Sequence, residues 1–359
     1  MKIIQRYFVK EFFKILGVLA LGLALIFSLL DLIDKVDDFM PGKPSIMQLM
    51  LYVLLNLPKY LYYVLPMSLL VCSLFVFSQA SRNKELVAIK AMGGRVKNIL
   101  YPFLILGLLL SATGFVIGEI VVPDFSETSN ELKNALMKKD GRLAFREGTL
   151  WMRGADGAFV RIELYIPDKK LVKGMSIFVT GKNYLKRRIE AEEAYWTGSQ
   201  GVKGSWKFKN VIVYDFEKGE VTHTPEMDYP NLESPDLFSR GIKKVEEMDI
   251  IELYRYTKRL KAAGFRDTKL VVDLNSKISY PLANFFMLVL GVALSVMGRV
   301  GGGILAAGMG ILISFVYWLL YTLMLSMGYT RVIPPAVATW IVPMLFGTVA
   351  VYLFRKIPE

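Results

Sequence analysis

One histidine, His223, and one cysteine, Cys72, set a low ceiling on the chemistry this 359-residue chain performs by itself. A Ser/His/Asp triad or a histidine-rich metal site would rest on His223 alone. Neither a disulfide framework nor a zinc site can be built within one chain from Cys72. No G-x-x-x-x-G-K-[ST] phosphate loop occurs, and Gly301-Gly302-Gly303 is not followed by the lysine such a loop needs. The apolar runs also lack the paired carboxylates and histidines of a proton relay. Three groups of charged residues remain. The first is Arg82-Asn83-Lys84-Glu85-Leu86-Val87-Ala88-Ile89-Lys90-Ala91-Met92-Gly93-Gly94, a short, basic, amphipathic stretch. Leu86, Ile89 and Met92 recur at three-residue spacing and share a helix face, and Glu85 in the first turn suits the helix dipole. The stretch reads either as a solvated surface loop or as a small cytoplasmic helix through which a membrane permease receives force from a separate ATPase. The glycine pair at its end, hinging it to the next span, favours the second. The second group is Lys59, directly after Pro58, which either snorkels to head groups or contacts a phosphate on an anionic lipid. The third, Asp31, Asp34, Asp37 and Asp38, reads as a solvated turn, with a divalent-ion site as the poorer alternative.

The elements that carry these residues are set by hydropathy. The chain is 53% apolar, with a mean hydropathy of +0.40, which places it in the membrane class. Uncharged runs over 15–30, 60–81, 98–118, 278–298, 300–330 and 332–354 are long enough for a hydrocarbon core of roughly 30 Å, the first once Phe12, Phe13, Leu32 and Ile33 extend it. Six helices in two groups of three result. No small-x-small cleavage site follows the first run, so it reads as a retained helix. Twelve Lys and Arg residues flank the spans on the side of the N-terminus, among them Lys2, Arg6, Arg82, Lys84, Arg299 and Arg355; only Lys35, Lys43, Lys59 and Arg331 lie in the opposite short segments. Both termini are therefore expected in the cytoplasm and residues 124–276 outside. The net charge of +12 follows this bias and suits an anionic membrane surface rather than a nucleic acid.

Between the two groups of spans the period changes. A polar helical stretch around 126–139 is followed by Leu150–Arg153, Ala158–Ile166, Leu171–Thr180 and Trp206–Phe216, rich in β-branched and aromatic residues with polar alternation. Gly154-Ala155-Asp156-Gly157 is a turn between the first two. The pattern predicts an antiparallel sandwich or open barrel. Asp249-x-x-Glu252 is a capping box opening an amphipathic helix with Leu253, Tyr256 and Leu260 on one face and Gly264 at its end. Pro58 and Pro66 are expected to start and bend the second span. Domain boundaries are set at 1–123, 124–265 and 266–359, with the short cytoplasmic helix at about 82–93. Gly301-Gly302-Gly303, Gly308 and Gly310 mark the fifth span either as tightly packed or as mobile and partner-facing.

Several local patterns add a resemblance. Leu57-Pro58-Lys59, Glu85-Leu86-Val87 with Ala91-Met92-Gly93, Ile117-Gly118-Glu119, Leu150-Trp151 with Phe159-Val160-Arg161-Ile162-Glu163, Ser276-Lys277-Ile278 with Pro281-Leu282, and Ile333-Pro334-Pro335 occur in an order and spacing that resembles the lipopolysaccharide-export permease family LptF/LptG, on the LptG side. The likeness covers essentially the whole chain. It implies a membrane α-helical fold of six transmembrane helices (3+3) with an inserted periplasmic all-β jelly-roll-like domain, in the bacterial inner membrane. It implies a non-catalytic permease without a cofactor, paired with LptF, driven by two copies of the ATPase LptB docked around Glu85, Leu86, Ile89, Met92 and Gly93. The β-domain would stack edge to edge with LptC and, beyond it, LptA. A cavity lined by the first, second and fifth spans would hold lipopolysaccharide, with Lys59 near its phosphates. At the outer end of the first span Asp31 and Asp34 stand where basic residues are expected, leaving only Lys35 for such contacts. An ATPase-driven permease for another lipid or lipoprotein, and a non-transport scaffold for an outer β-domain, are the other readings that residue types alone leave open.

Overall fold

The computed structural model describes residues 2–137, 143–146, 149–154, 157–166, 169–181, 184–197, 205–230, 232, 235, 238, 243–262, 264–265, 267–297 and 302–357. Lys138, Lys139, Ala155, Asp156, Arg299 and Gly301 lie outside the described residues. Nine α-helices are described: α1 (Lys2–Phe39), α2 (Ile46–Arg82), α3 (Glu85–Ala91), α4 (Val96–Val116), α5 (Val122–Leu136), α6 (Ile250–Ala262), α7 (Thr268–Met297), α8 (Gly303–Tyr329) and α9 (Pro335–Arg355). Six spans are long and apolar enough to cross a membrane: α1, α2, α4 continued through α5, α7, α8 and α9. The chain divides into two compact units: Met1–Lys133 with Val245–Leu253 and Asp267–Glu359, and Asn134–Lys244 with Tyr254–Arg266.

The helices of two spans extend beyond the uncharged runs, each for a local reason. Ser45 caps α2: its hydroxyl accepts from the backbone N of Gln48, whose side chain accepts from the backbone N of Ser45. This capping box starts the helix twelve residues before Pro58, so both prolines lie inside one helix instead of beginning it. The helix of the third span continues past Gly118-Glu119, where the uncharged run ends. A single π-helical turn, Ile117–Val121, joins α4 to α5 without a break, and the first unit includes the chain as far as Lys133.

In the helical unit α2 and α7 are the buried pair, and α1, α4, α8 and α9 pack around them. Phe8, Phe12 and Leu16 of α1 meet Leu69 and Phe77 of α2 and Phe103 of α4 in one cluster. Leu70 and Leu74 of α2, Met287 and Leu290 of α7, Ala306 and Tyr317 of α8 and Val342 of α9 form a second. Small residues let these backbones approach. A Cβ on Gly291 would lie 2.8 Å from the Leu70 carbonyl oxygen and collide with Ser73 Oγ; one on Gly310 would lie 3.0 Å from Val71 Cα. Gly17, Gly22 and Gly308 have nothing within 4 Å. The small residues of α8 therefore divide: Gly310 is a packing position and Gly308 faces outward.

The second unit holds a seven-stranded antiparallel sheet in the order β1 to β7: Leu143–Arg146, Thr149–Arg153, Phe159–Ile166, Leu171–Thr180, Leu185–Trp196, Trp206–Asp215 and Glu220–Tyr229. The expected jelly-roll-like insert is built as one long meander, each strand pairing with its neighbour in sequence. Strands β1, β5 and β7 were not legible from alternation. Leu185–Trp196 reads LKRRIEAEEAYW, more helical than extended in composition, and β7 carries Pro225, which an edge strand tolerates.

Alternation is interrupted at one row of the sheet. In strands β4, β5 and β6 the inward face slips by one residue there. Val172 is followed inward by Met175, Ala191 by Ala194, and Phe208 by Val211, all buried. Gly174 (φ +68°) and Asn210 (φ +50°) take up the turn of the backbone. Because the slip occurs in step, register is kept on both sides of it: Met175↔Ala191↔Val211 and Lys173↔Glu193↔Lys209. The core below is closed by Trp206 stacked on Phe238 at 5.1 Å.

Replacing Gly291 with Ala is expected to destabilise the helical unit by about 1–3 kcal/mol, seen as a lower Tm in detergent. Gly22→Ala, with open space around it, leaves Tm unchanged.

Candidate functional site

Two polar regions of the helical unit contain the residues that the sequence singled out. The first is α3. Lys84, in the left-handed region at φ +60°, separates it from α2, and Glu85 Oε1 accepts from Asn83 Nδ2 at 3.2 Å. Leu86 and Ile89 are buried in the cluster shared with α1 and α4. Met92 does not join them. It is the residue that ends the helix, and it is 74% exposed. Gly93, at φ +77°, closes the turn by donating to the Lys90 carbonyl. The expected set thus splits into two anchors, Leu86 and Ile89, and an exposed remainder. The exposed side of the segment is formed by Val87 (60% exposed), Ala88, Lys90, Ala91 and Met92. Val87 was missed by the three-residue spacing, although it lies one residue after Leu86 on a helix whose opposite side is anchored.

The second region is a set of ion pairs at the ends of the spans. Lys59 Nζ is 2.5 Å from Glu246 Oε2 and lies over the Tyr60 ring at 5.7 Å. Lys35 Nζ is 2.5 Å from Asp31 Oδ1 and donates to Tyr52 Oη at 3.2 Å, while the Tyr52 hydroxyl donates to Asp31 Oδ2 at 2.8 Å. Each lysine expected at a lipid phosphate therefore already holds a carboxylate of its own chain. Asp31 belongs to this network rather than to a solvated turn with Asp34, Asp37 and Asp38. Among the described residues, no group of three or more His, Cys, Asp or Glu side chains is placed to hold a metal ion.

A third pair was not anticipated. Glu119, carried on the π turn, accepts from Lys277 Nζ at 3.1 Å and from the backbone N of Ile250 at 2.6 Å. Its side chain is 11% exposed and that of Lys277 12%. Gly118 beside it leaves room for the Tyr62 ring, since a Cβ there would meet Tyr62 Cε2 at 2.6 Å. Both partners stood in motifs noted from the sequence, Ile117-Gly118-Glu119 and Ser276-Lys277-Ile278, but nothing in one dimension links positions 158 residues apart. His223 is exposed on β7, and Cys72 is buried with its thiol directed at the Phe12 carbonyl, 3.2 Å away.

Breaking the buried pair on one side leaves the other charge uncompensated. Glu119→Ala is expected to cost about 3–5 kcal/mol, while Glu119→Leu combined with Lys277→Met recovers most of it. Thermal melts of the single and double variants measure the difference.

The sequence pattern of the lipopolysaccharide export system permease LptF/LptG matches residues 6–356. Lipopolysaccharide export system permease protein LptG of Escherichia coli strain K12 is 21% identical over an alignment of 387 positions, which covers 99% of this chain and 98% of the relative. The protein of the same name from Escherichia coli O6:H1 gives the same figures. With six apolar helices able to span a membrane, an antiparallel sheet inserted between them and a match over nearly its whole length, the chain belongs to the lipopolysaccharide export permease family LptF/LptG.

Proposed function

We propose that the chain is a non-catalytic permease subunit of an ATP-driven exporter, which extracts lipopolysaccharide from the inner membrane and passes it to a bridge of β-domains toward the outer membrane. In this reading its termini are cytoplasmic and its β-domain periplasmic. Its partners are the sister permease LptF, two copies of LptB that hydrolyse the ATP, and LptC followed by LptA. Transfer of a multi-chain amphiphile out of a bilayer costs roughly 0.8 kcal/mol per CH₂, so the step needs an external energy source and an apolar receiving surface. Exposed apolar side chains on α1 (Val18, Leu21, Ile26) and on α8 (Leu312, Phe315, Leu323) fit the walls of the expected cavity. The meander's two edges, β1 and β7, fit pairing with neighbouring β-domains.

The observation that carries the reading, beside family membership, is α3. Its Leu86 and Ile89 are sunk into the first, second and third spans, so a push on its exposed side passes to the bundle rather than to a loose loop. Gly93 then gives the bend into α4. Lys59 and Lys35 are assigned to the lipid phosphates, Glu85 and the Val87–Met92 surface to the ATPase.

Affinity purification of the tagged chain from its native membrane tests this. LptB, LptF and lipopolysaccharide are expected to co-purify. Val87→Asp and Glu85→Lys are each expected to reduce recovered LptB by about tenfold or more, a loss typical of a central interface residue, and to abolish growth in a strain lacking the chromosomal copy. Full growth of Glu85→Lys refutes the coupling role, and recovery of a different lipid refutes the substrate.

A further inference from the structure

The ion pairs at the span ends are not equivalent, and the difference has a functional meaning. Glu119–Lys277 is almost enclosed, its side chains 11% and 12% exposed, and carries a backbone bond as well. Lys59–Glu246 is open: the Glu246 side chain is 39% exposed and that of Lys59 19%. A half-exposed pair contributes only about 0–1 kcal/mol, so it exchanges partners readily, whereas the enclosed pair does not. Glu246 lies on the short 3₁₀ turn Val245–Glu247, four residues before Ile250, whose backbone is fixed to Glu119. It is therefore tethered beside Lys59 and returns to it at high local concentration.

We infer that Glu246 is a specificity-determining residue: it guards Lys59 against singly charged phospholipid head groups and yields only to a lipid carrying two or more phosphate charges. The inference rests on the reading of Lys59 as a contact to a lipid phosphate. An unguarded lysine at the head-group level would be occupied by the bulk phospholipid around it. Replacing a tethered carboxylate by one phosphodiester exchanges one negative charge for another and gains nothing. A phosphate monoester carries about −1.5 to −2 near neutral pH, and its attraction to the ammonium exceeds that of the carboxylate it displaces. At Lys35 the carboxylate is held more firmly: the Asp31 side chain is 14% exposed and also accepts from the Tyr52 hydroxyl, so the exchange is placed at Lys59. This accounts for a carboxylate beside Lys59 in a site meant for anions.

The test uses the full complex in nanodiscs of phosphatidylethanolamine and phosphatidylglycerol, with native mass spectrometry of the bound lipids as lipopolysaccharide is titrated in. Glu246→Gln, which keeps the shape and removes the charge, is expected to raise bound phosphatidylglycerol about tenfold and to lower the preference for lipopolysaccharide by a similar factor, the scale of a lost charged contact. Glu246→Asp is expected to keep the preference, and Lys59→Ala to remove the effect of Glu246→Gln. An unchanged preference in Glu246→Gln, with Lys59→Ala still weakening lipopolysaccharide binding, overturns the guard and leaves the function standing. Unchanged lipopolysaccharide binding in Lys59→Ala overturns both the guard and the role of that lysine.

Discussion

The Glu119 carboxylate sits where three stretches of chain meet, and this end of the helical unit depends on it. One oxygen takes the ammonium of Lys277 and the other the backbone N–H of Ile250. The first joins the third span to the fourth. The second fixes the segment returning from the β-domain. Two charges withdrawn from water are stable only when their remaining bonding capacity is filled, and here a backbone donor at a helix start fills it. Glu119 is carried on the single π turn Ile117–Val121, an irregularity found mostly as one-turn bulges inside α-helices.

Around that junction the charged residues differ in burial. Glu119 and Lys277 are enclosed. Lys59 and Lys35 each hold an intrachain carboxylate and keep more of their side chains exposed. The same sorting applies to the apolar residues of α3, where Leu86 and Ile89 are anchors and Val87 and Met92 are surface. It applies to glycine too: Gly291 and Gly310 are contact points between helices, and Gly22 and Gly308 border open space. A helix that grips its own bundle on one side and leaves small or apolar residues on the other can pass force or receive a partner without losing its packing.

In the β-domain the governing constraint is that neighbouring strands must slip together. One strand that moved its inward face by a residue would bury polar side chains against its neighbour's core. Three strands that slip at the same row keep both the core and the ladder, at the expense of the alternating pattern. The four strands legible from alternation were β2, β3, β4 and β6. Those missed were the charged middle strand β5 and the two edges, where pairing partners rather than composition decide the conformation.

Much of this protein was determined by the sequence alone, because its strongest signals are one-dimensional. A run of uncharged residues must become a helix in hydrocarbon, where no water satisfies the backbone, and the six spans, the inserted sheet and a short helix, observed at Glu85–Ala91 within the expected 82–93, follow from run length and period. Lys59 and Glu85 stood out by type and position. What only the tertiary structure decided were the pairings across long separations: Lys59 with Glu246, Glu119 with Lys277, and the division of the 85–92 stretch into anchored and open residues. A residue's charge is written in the sequence, but whether that charge is spent on the fold or kept for a ligand depends on which distant group folding brings within three ångströms.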